Sequence, residues 1–244
     1  FLSSDYDISM NTIVTNMTLM RTVCNWVRKQ GVTNNDPFFG YDMPKALYGT
    51  PYFLTIQERD QVLDADLTDD AELAEYRDMF VFQCMVGCRH SDLVTFTPKN
   101  IIDGVLEYIP IKTKGKSGDI VRVPLIPKAM AILDGHDHGD DEPIFPKHYN
   151  FKFNDAIRRI LKRAKVNRVV TVINPKTRLE EKKPISDVAT SHLARRTFIG
   201  NLYRMVKDPD LVGSMSGHAK GSVAFARYRV IDDDMKKSLV ELIQ

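Results

Sequence analysis

The sequence predicts a mainly α fold with a small antiparallel β-sheet, an α+β class, and three observations predict it. Apolar residues recur at three- to four-residue spacing over most of the chain. Two β-branched runs, Val105 to Ile111 and Ile120 to Leu125, flank the turn-prone Lys114-Gly-Lys-Ser-Gly-Asp119. With 244 residues, 43% of them hydrophobic, the chain is long enough to bury a core without disulfides or metals. Ordinary composition excludes collagen-like, disordered and disulfide-scaffold classes. No apolar run approaches the ~18–20 residues of a membrane span, and no signal-peptide pattern opens the chain. Three cysteines, an odd count, suit a reducing compartment, and a cytoplasmic location is expected.

The elements follow in order. The chain opens at Phe1 without a methionine, as a fragment would. Ile13, Met17, Met20, Cys24 and Val27 form one helical stripe, which Asn11 is expected to cap and Gly31 to stop. One helix is too little chain for a core, so residues 1–38 read as the end of an N-terminal helical domain. Residues 39–53 read as a linker in a stretch rich in Asn, Asp, Gly and Pro, and residues 54–244 as the main domain. There, Thr55 and Glu58 form a capping box, and Ala71 to Gly87 reads as a mostly buried helix. After the two β runs come helices around 128–134, 150–165, 190–206 and 208–215, with a short hairpin from 169–173 and 182–185. A last helix is expected to carry Met235, Leu239, Leu242 and Ile243 on one face.

Charge is balanced overall, at a formal +2, but unevenly distributed. Thr55 to Asp92 holds ten acids and three bases; Lys147 to Arg168 holds eight bases and one acid. The basic stretch suits a polyanion partner, or equally a solvated helix face.

Residues able to carry chemistry are spread through the main domain. Arg89 and Asp92 lie three apart, so the carboxylate is expected to brace a guanidinium suited to bidentate phosphate contact. His192 and Arg195 put two donors on one helical face. His218 follows a short helix in Ser216-Gly-His218, and Tyr228 lies ten residues later. Lys112, Lys114 and Lys116 crowd the β-turn. His136-Asp-His138-Gly-Asp-Asp-Glu142 has metal-ligand residue types but no helical frame. Cys84 and Cys88, one helical turn apart in an apolar run, read as core, and Trp26 as core or interdomain packing.

Taken in order, these motifs resemble the catalytic domain of the tyrosine recombinases, or phage-integrase family. The resemblance runs from about Leu54 to Gln244. It rests on Phe53-Leu-Thr-Ile-Gln-Glu58, Gly87-Cys-Arg-His-Ser-Asp-Leu93, Val121-Arg-Val-Pro-Leu125, Ser191-His-Leu-Ala-Arg-Arg-Thr197 and Gly217-His-Ala-Lys-Gly-Ser222 leading into Tyr228. Ala194 stands where the family more often has Leu. The style of the last motif is similar to integrases of bacterial mobile elements, and the first helix to the end of the family's core-binding domain.

The resemblance implies site-specific cutting and rejoining of double-stranded DNA, in integration or excision of a mobile element. Tyr228 would be the nucleophile, forming a 3′-phosphotyrosyl link. Arg89, Arg195 and His218 would hold the phosphate, His192 would move the nucleophile's proton, and Asp92 would support Arg89. Lys112 would be the general acid, because Lys112-Thr113 ends the strand as the family's Lys-Thr pair commonly does; Lys114 is the alternative. No cofactor and no metal would be needed. A homotetramer on DNA, joined through the C-terminal helix, is implied, with accessory DNA-bending proteins as possible further partners and no membrane. Alternatives are a type IB topoisomerase-like nicking–rejoining enzyme and a catalytically silent DNA-binding regulator of the same fold. The regulator would have lost a catalytic residue, and none is missing.

Overall fold

The computed structural model describes residues 8–115, 119–136, 139–206, 208–218, 227, 240 and 241. By contacts the chain divides into two compact units, Phe1–Gly49 with Thr171–Lys182, and Thr50–Val170 with Lys183–Gln244.

In the first unit, α1 (Met10–Lys29) is capped by Ser9, whose hydroxyl accepts the Thr12 N–H. Asn11, the cap expected from sequence, lies inside the first turn and serves another purpose. Its amide donates to the Leu47 carbonyl at 2.8 Å and accepts the Leu47 N–H at 2.9 Å, fixing the chain that follows the helix. Residues up to Gly49, expected as linker, therefore pack within this unit. The outer part of a two-stranded sheet joins them, β4 (Val169–Ile173) with β5 (Glu180–Pro184). No residue of α1 is buried, and Trp26 is 61% exposed, so it is not core.

The second unit is built around α3 (Ala71–Val86), whose last eight residues are all buried. A helix end this apolar has no solvent face and belongs at the centre. It packs against α8 (Ser191–Val206), α6 (Asn150–Arg163), α2 (Ile56–Leu63) and α5 (Pro127–Asp134). The expected capping box is present on α2, with Thr55 accepting the Glu58 N–H and Glu58 accepting the Thr55 N–H. Helix α6 buries Phe153, Ala156, Ile157, Ile160 and Leu161 on one side. Cys84 and Cys88 are buried free thiols, and burial raises the pKa of both.

The sheet beside this bundle is three-stranded and antiparallel, in the order β1 (Ile101–Ile102), β2 (Val105–Tyr108), β3 (Val121–Pro124). Leu106 pairs with Val123 and Tyr108 with Val121, and these inward positions are buried. Both long strands are shorter than the β-branched runs suggested. Pro110 has no N–H to give a ladder, and its carbonyl instead receives the Thr113 and Lys114 N–H groups in a tight turn. Three short helices complete the unit, α4 (His90–Leu93), α7 (Ile185–Val188) and α9 (Pro209–Ser216), the last packed on α8 and β3. Among the described residues no helix is long and apolar enough to cross a membrane.

Half of the bases in the basic stretch are paired with acids elsewhere in the unit. Arg159 pairs with Asp70 at 2.7 Å, Arg168 with Glu58 at 2.6 Å and Lys162 with Asp187 at 2.8 Å, and Arg163 pairs with Asp69. The acidic segment entering α3 and the basic α6 face each other. Part of the uneven charge along the sequence is thus an internal complement.

Gly87 ends α3 in the left-handed region at φ +68°, and a Cβ there would lie 2.2 Å from the Phe198 ring. Gly104 has a similar φ of +74° with open space around it. Gly104→Ala is expected to cost only the backbone strain, about 1–2 kcal/mol. Gly87→Ala adds a clash with a packed ring and should cost ~3 kcal/mol or more. Paired denaturant melts check the difference.

Candidate active site

The left-handed Gly87 turns the chain sharply out of α3 and leaves its carbonyl facing α8. Arg195, one turn into α8 and 5% exposed, donates from Nη1 to that carbonyl at 2.7 Å. Two residues past the turn, Arg89 stands at the N-cap of α4 in extended backbone. Its Nη1 is buried and has no hydrogen-bond partner. A buried guanidinium donor left unpaired is costly, and an anion is the group that would satisfy it.

His218 reaches the same place from the other side. Gly217, at φ +64°, closes α9 with Val121 and Pro110 only 3.1 and 3.2 Å from where a Cβ would be. Only glycine meets both demands, and the turn it makes sets His218 beside Arg195. Arg195 Nη2 lies 3.0 Å from His218 Nδ1 and 3.3 Å from Nε2. The Ser216 hydroxyl lies 2.8 Å from Nδ1. Burial of the ring, then Arg195 and Arg89, push the His218 pKa down to about 3.

His192 sits in the first turn of α8 at the exposed rim. The helix start is tied down where Ser191 donates to Asn154 Oδ1 through its N–H at 2.8 Å and to Asn150 Oδ1 through its hydroxyl at 3.2 Å. Although the residue reaches solvent, its ring is partly enclosed. That enclosure, followed by Arg196, Arg195, Arg89 and Lys112, lowers its pKa below the usual histidine value. Arg89, Lys112, His192, Arg195 and His218 therefore lie within one electropositive field.

Asp92 corrects one expectation. No ion pair joins it to Arg89. Buried to 1% exposure, it accepts the Ile111 N–H at Oδ1, 2.9 Å away. The carboxylate thus anchors the turn that carries Lys112, one residue on, to the short helix that follows Arg89. Lys112 and Lys114 are both exposed on that turn. Lys112 lies past the end of β2 rather than at its last residue, and it is among the charges acting on His192. Lys116 and Tyr228 lie outside the described residues, as does His138. Among the described residues no group of three His, Cys, Asp or Glu could hold a metal ion.

Two residues were missed from sequence. Tyr108 is 7% exposed and within electrostatic reach of Arg195, Asp92 and Arg89. Burial drives its phenol pKa far up, so it stays protonated. The inward phase of β2, shared with Leu106, was the available signal. Ser216, fully buried beneath His218, is the other.

The phage integrase family model matches residues 52–235, a span that contains all of these motifs. The chain belongs to the phage integrase family. Its fold is the tyrosine-recombinase catalytic-domain fold, and solved structures agree. The Tn1549 transposon integrase in complex with a circular intermediate DNA superposes with a TM-score of 0.67 at 14% identity, covering 99% of this chain and 82% of that one. The XerH site-specific recombinase in a pre-cleavage complex with difH gives 0.61 at 15% identity, covering 99% and 68%. XerA recombinase gives 0.54 at 15% identity, covering 100% and 79%. No curated protein matches by sequence.

The depressed His218 pKa has a sign that can be worked out. Unfolded, the ring takes a proton as pH falls through about 6.5; folded, it resists protonation down to about 3. Between those values the unfolded state binds more protons, so stability falls as pH falls. His192 and His90, also lowered, act in the same direction. His218→Asn should flatten the decline of unfolding free energy between pH 6.5 and 4 relative to the parent chain, as measured by urea titrations at stepped pH.

Proposed function

We propose that this integrase-family chain cuts and rejoins double-stranded DNA through a covalent tyrosyl intermediate, integrating or excising a mobile element. The observation that carries the reading is the convergence of two guanidinium groups on one place, one of them with a buried unpaired donor, beside two histidines and a turn lysine. Such a pocket is complementary to a phosphodiester gaining negative charge. The similar solved structures include complexes with transposon right end DNA and with the difH substrate.

In this reading the Tyr228 oxygen attacks the phosphorus and the bond to the 5′ oxygen breaks. The phenolic proton leaves toward His192, whose lowered pKa keeps a lone pair available at neutral pH. Lys112 supplies a proton to the departing 5′ oxygen. Arg89, Arg195 and His218 stabilise the nonbridging oxygens. The 3′-phosphotyrosyl bond conserves the energy of the broken ester, so a second 5′-hydroxyl reseals the strand by the reverse steps. Asp92 acts through the backbone of the Lys112 turn, without touching substrate. Strand exchange proceeds in a DNA-bound homotetramer linked by the C-terminal helix, whose proposed apolar face lies outside the described residues. The first unit is read as the end of a core-binding domain, and accessory DNA-bending proteins as additional partners.

The test is covalent trapping on nicked duplexes carrying the ends of the mobile element, resolved under denaturing conditions. The parent chain should form an adduct in EDTA and Tyr228→Phe none, with DNA binding retained. An adduct that persists in Tyr228→Phe defeats the nucleophile assignment. Arg89→Lys, which keeps the charge but loses the fork, should slow adduct formation by about 10²–10³-fold.

A further inference from the structure

We propose that Ser216 is a positioning residue for strand transfer, its buried hydroxyl fixing the tautomer of His218 so that Nε2 carries the proton offered to the phosphate. The inference rests on the reading above. Ser216 is completely buried, and its hydroxyl has three neighbours: the Val212 carbonyl at 2.8 Å, the Gly213 carbonyl at 3.2 Å and His218 Nδ1 at 2.8 Å. Both carbonyls have other donors. Gly213 O receives the Gly217 and His218 N–H groups, and Val212 O lies in the ladder of α9.

Which way the Ser216 proton points follows from the role of His218 in that reading. Arg195 Nη2 lies 3.0 Å from Nδ1 and 3.3 Å from Nε2 and does not choose between them, but Nδ1 is taken up by the buried Ser216 hydroxyl, which leaves Nε2 as the ring nitrogen that donates to a phosphate oxygen. A neutral ring that donates from Nε2 carries its lone pair on Nδ1. With Nδ1 an acceptor, a Ser216 proton turned toward Val212 would leave two lone pairs facing each other at 2.8 Å. The hydroxyl therefore donates to Nδ1, and the single ring proton of neutral His218 resides on Nε2. Nε2 is 3.3 Å from Arg195 Nη2, so an oxygen bound by that guanidinium lies within reach of the Nε2 proton. The low pKa of His218 keeps the ring singly protonated, which makes the choice of nitrogen matter. Without Ser216 the buried donor to Nδ1 is lost, and the ring can place its proton on the wrong nitrogen.

Two measurements test this. The first is ¹⁵N NMR of the His218 ring in the parent chain at pH 7. One tautomer with protonated Nε2 is expected; predominant Nδ1 protonation overturns the inference, whether or not Ser216→Ala folds. The second is a double-mutant cycle on single-turnover adduct formation with Ser216→Ala and His218→Ala. Ser216→Ala alone should slow the step on the order of tenfold, less than loss of a donor outright, with DNA binding unchanged. In the His218→Ala background the same change should have no further effect. An equal slowing in both backgrounds assigns Ser216 a merely structural role and overturns the inference. So does a parent-like rate in Ser216→Ala while the parent forms its Tyr228 adduct; that result leaves the strand-transfer reading intact. A parent chain that binds the DNA ends but forms no adduct overturns both.

Discussion

The hydrogen bond from Arg195 to the Gly87 carbonyl joins the two halves of the site, and most of the second unit is arranged to make it possible. It needs a left-handed residue at the end of α3, because only there does the carbonyl turn away from the helix axis toward α8. It needs α8 close enough for Phe198 to lie against that glycine, which fixes the depth at which Arg195 enters. It also needs the last two turns of α3 to be buried all round, since a guanidinium held at 5% exposure tolerates little movement around it. Once the bond is made, Arg89 and His218 fall into place by short covalent reach: one lies two residues past Gly87, the other one residue past Gly217.

The site is held from below by polar groups outside its cluster of cations and histidines. Asp92 fastens the Lys112 turn through a backbone N–H, Asn150 and Asn154 fasten the start of α8 below His192, and Ser216 supports the His218 ring. Each is a polar side chain contributed by an element other than the one it steadies, except Ser216, which steadies the residue after its own helix. The arrangement allows a pocket crowded with positive charge to stay ordered before any anion enters.

Much of this was legible from the residues. The Thr55–Glu58 box, the buried helix ending at Gly87 and the four later helices are written in local patterns, and they appear within a few residues of their expected bounds. The convergence of Arg89, Lys112, His192, Arg195 and His218 was legible only through the order of motifs, because nothing local links Arg89 to Arg195. What failed to show was long-range pairing. Asn11 looked like a helix cap because its partner, Leu47, is 36 residues away. Asp92 looked like a partner for Arg89 because three-residue spacing is visible in a sequence, whereas an amide 19 residues on is not. Ser216 carried no signal at all, since a serine near a helix end is ordinary until its burial is known.

The ion pairs that hold α6 to the acidic entrance of α3 bear on how such a chain would respond to salt. Counterion release on binding DNA scales with the cations actually presented to phosphates, about 0.9 per phosphate neutralised. Arg159, Arg163, Lys162 and Arg168 are already engaged with carboxylates, so their own counterions were displaced when the chain folded. Those four cations therefore add less to the ionic-strength dependence of this unit than their number suggests, and discrimination among duplexes depends less on them than on the geometry with which one phosphate is grasped.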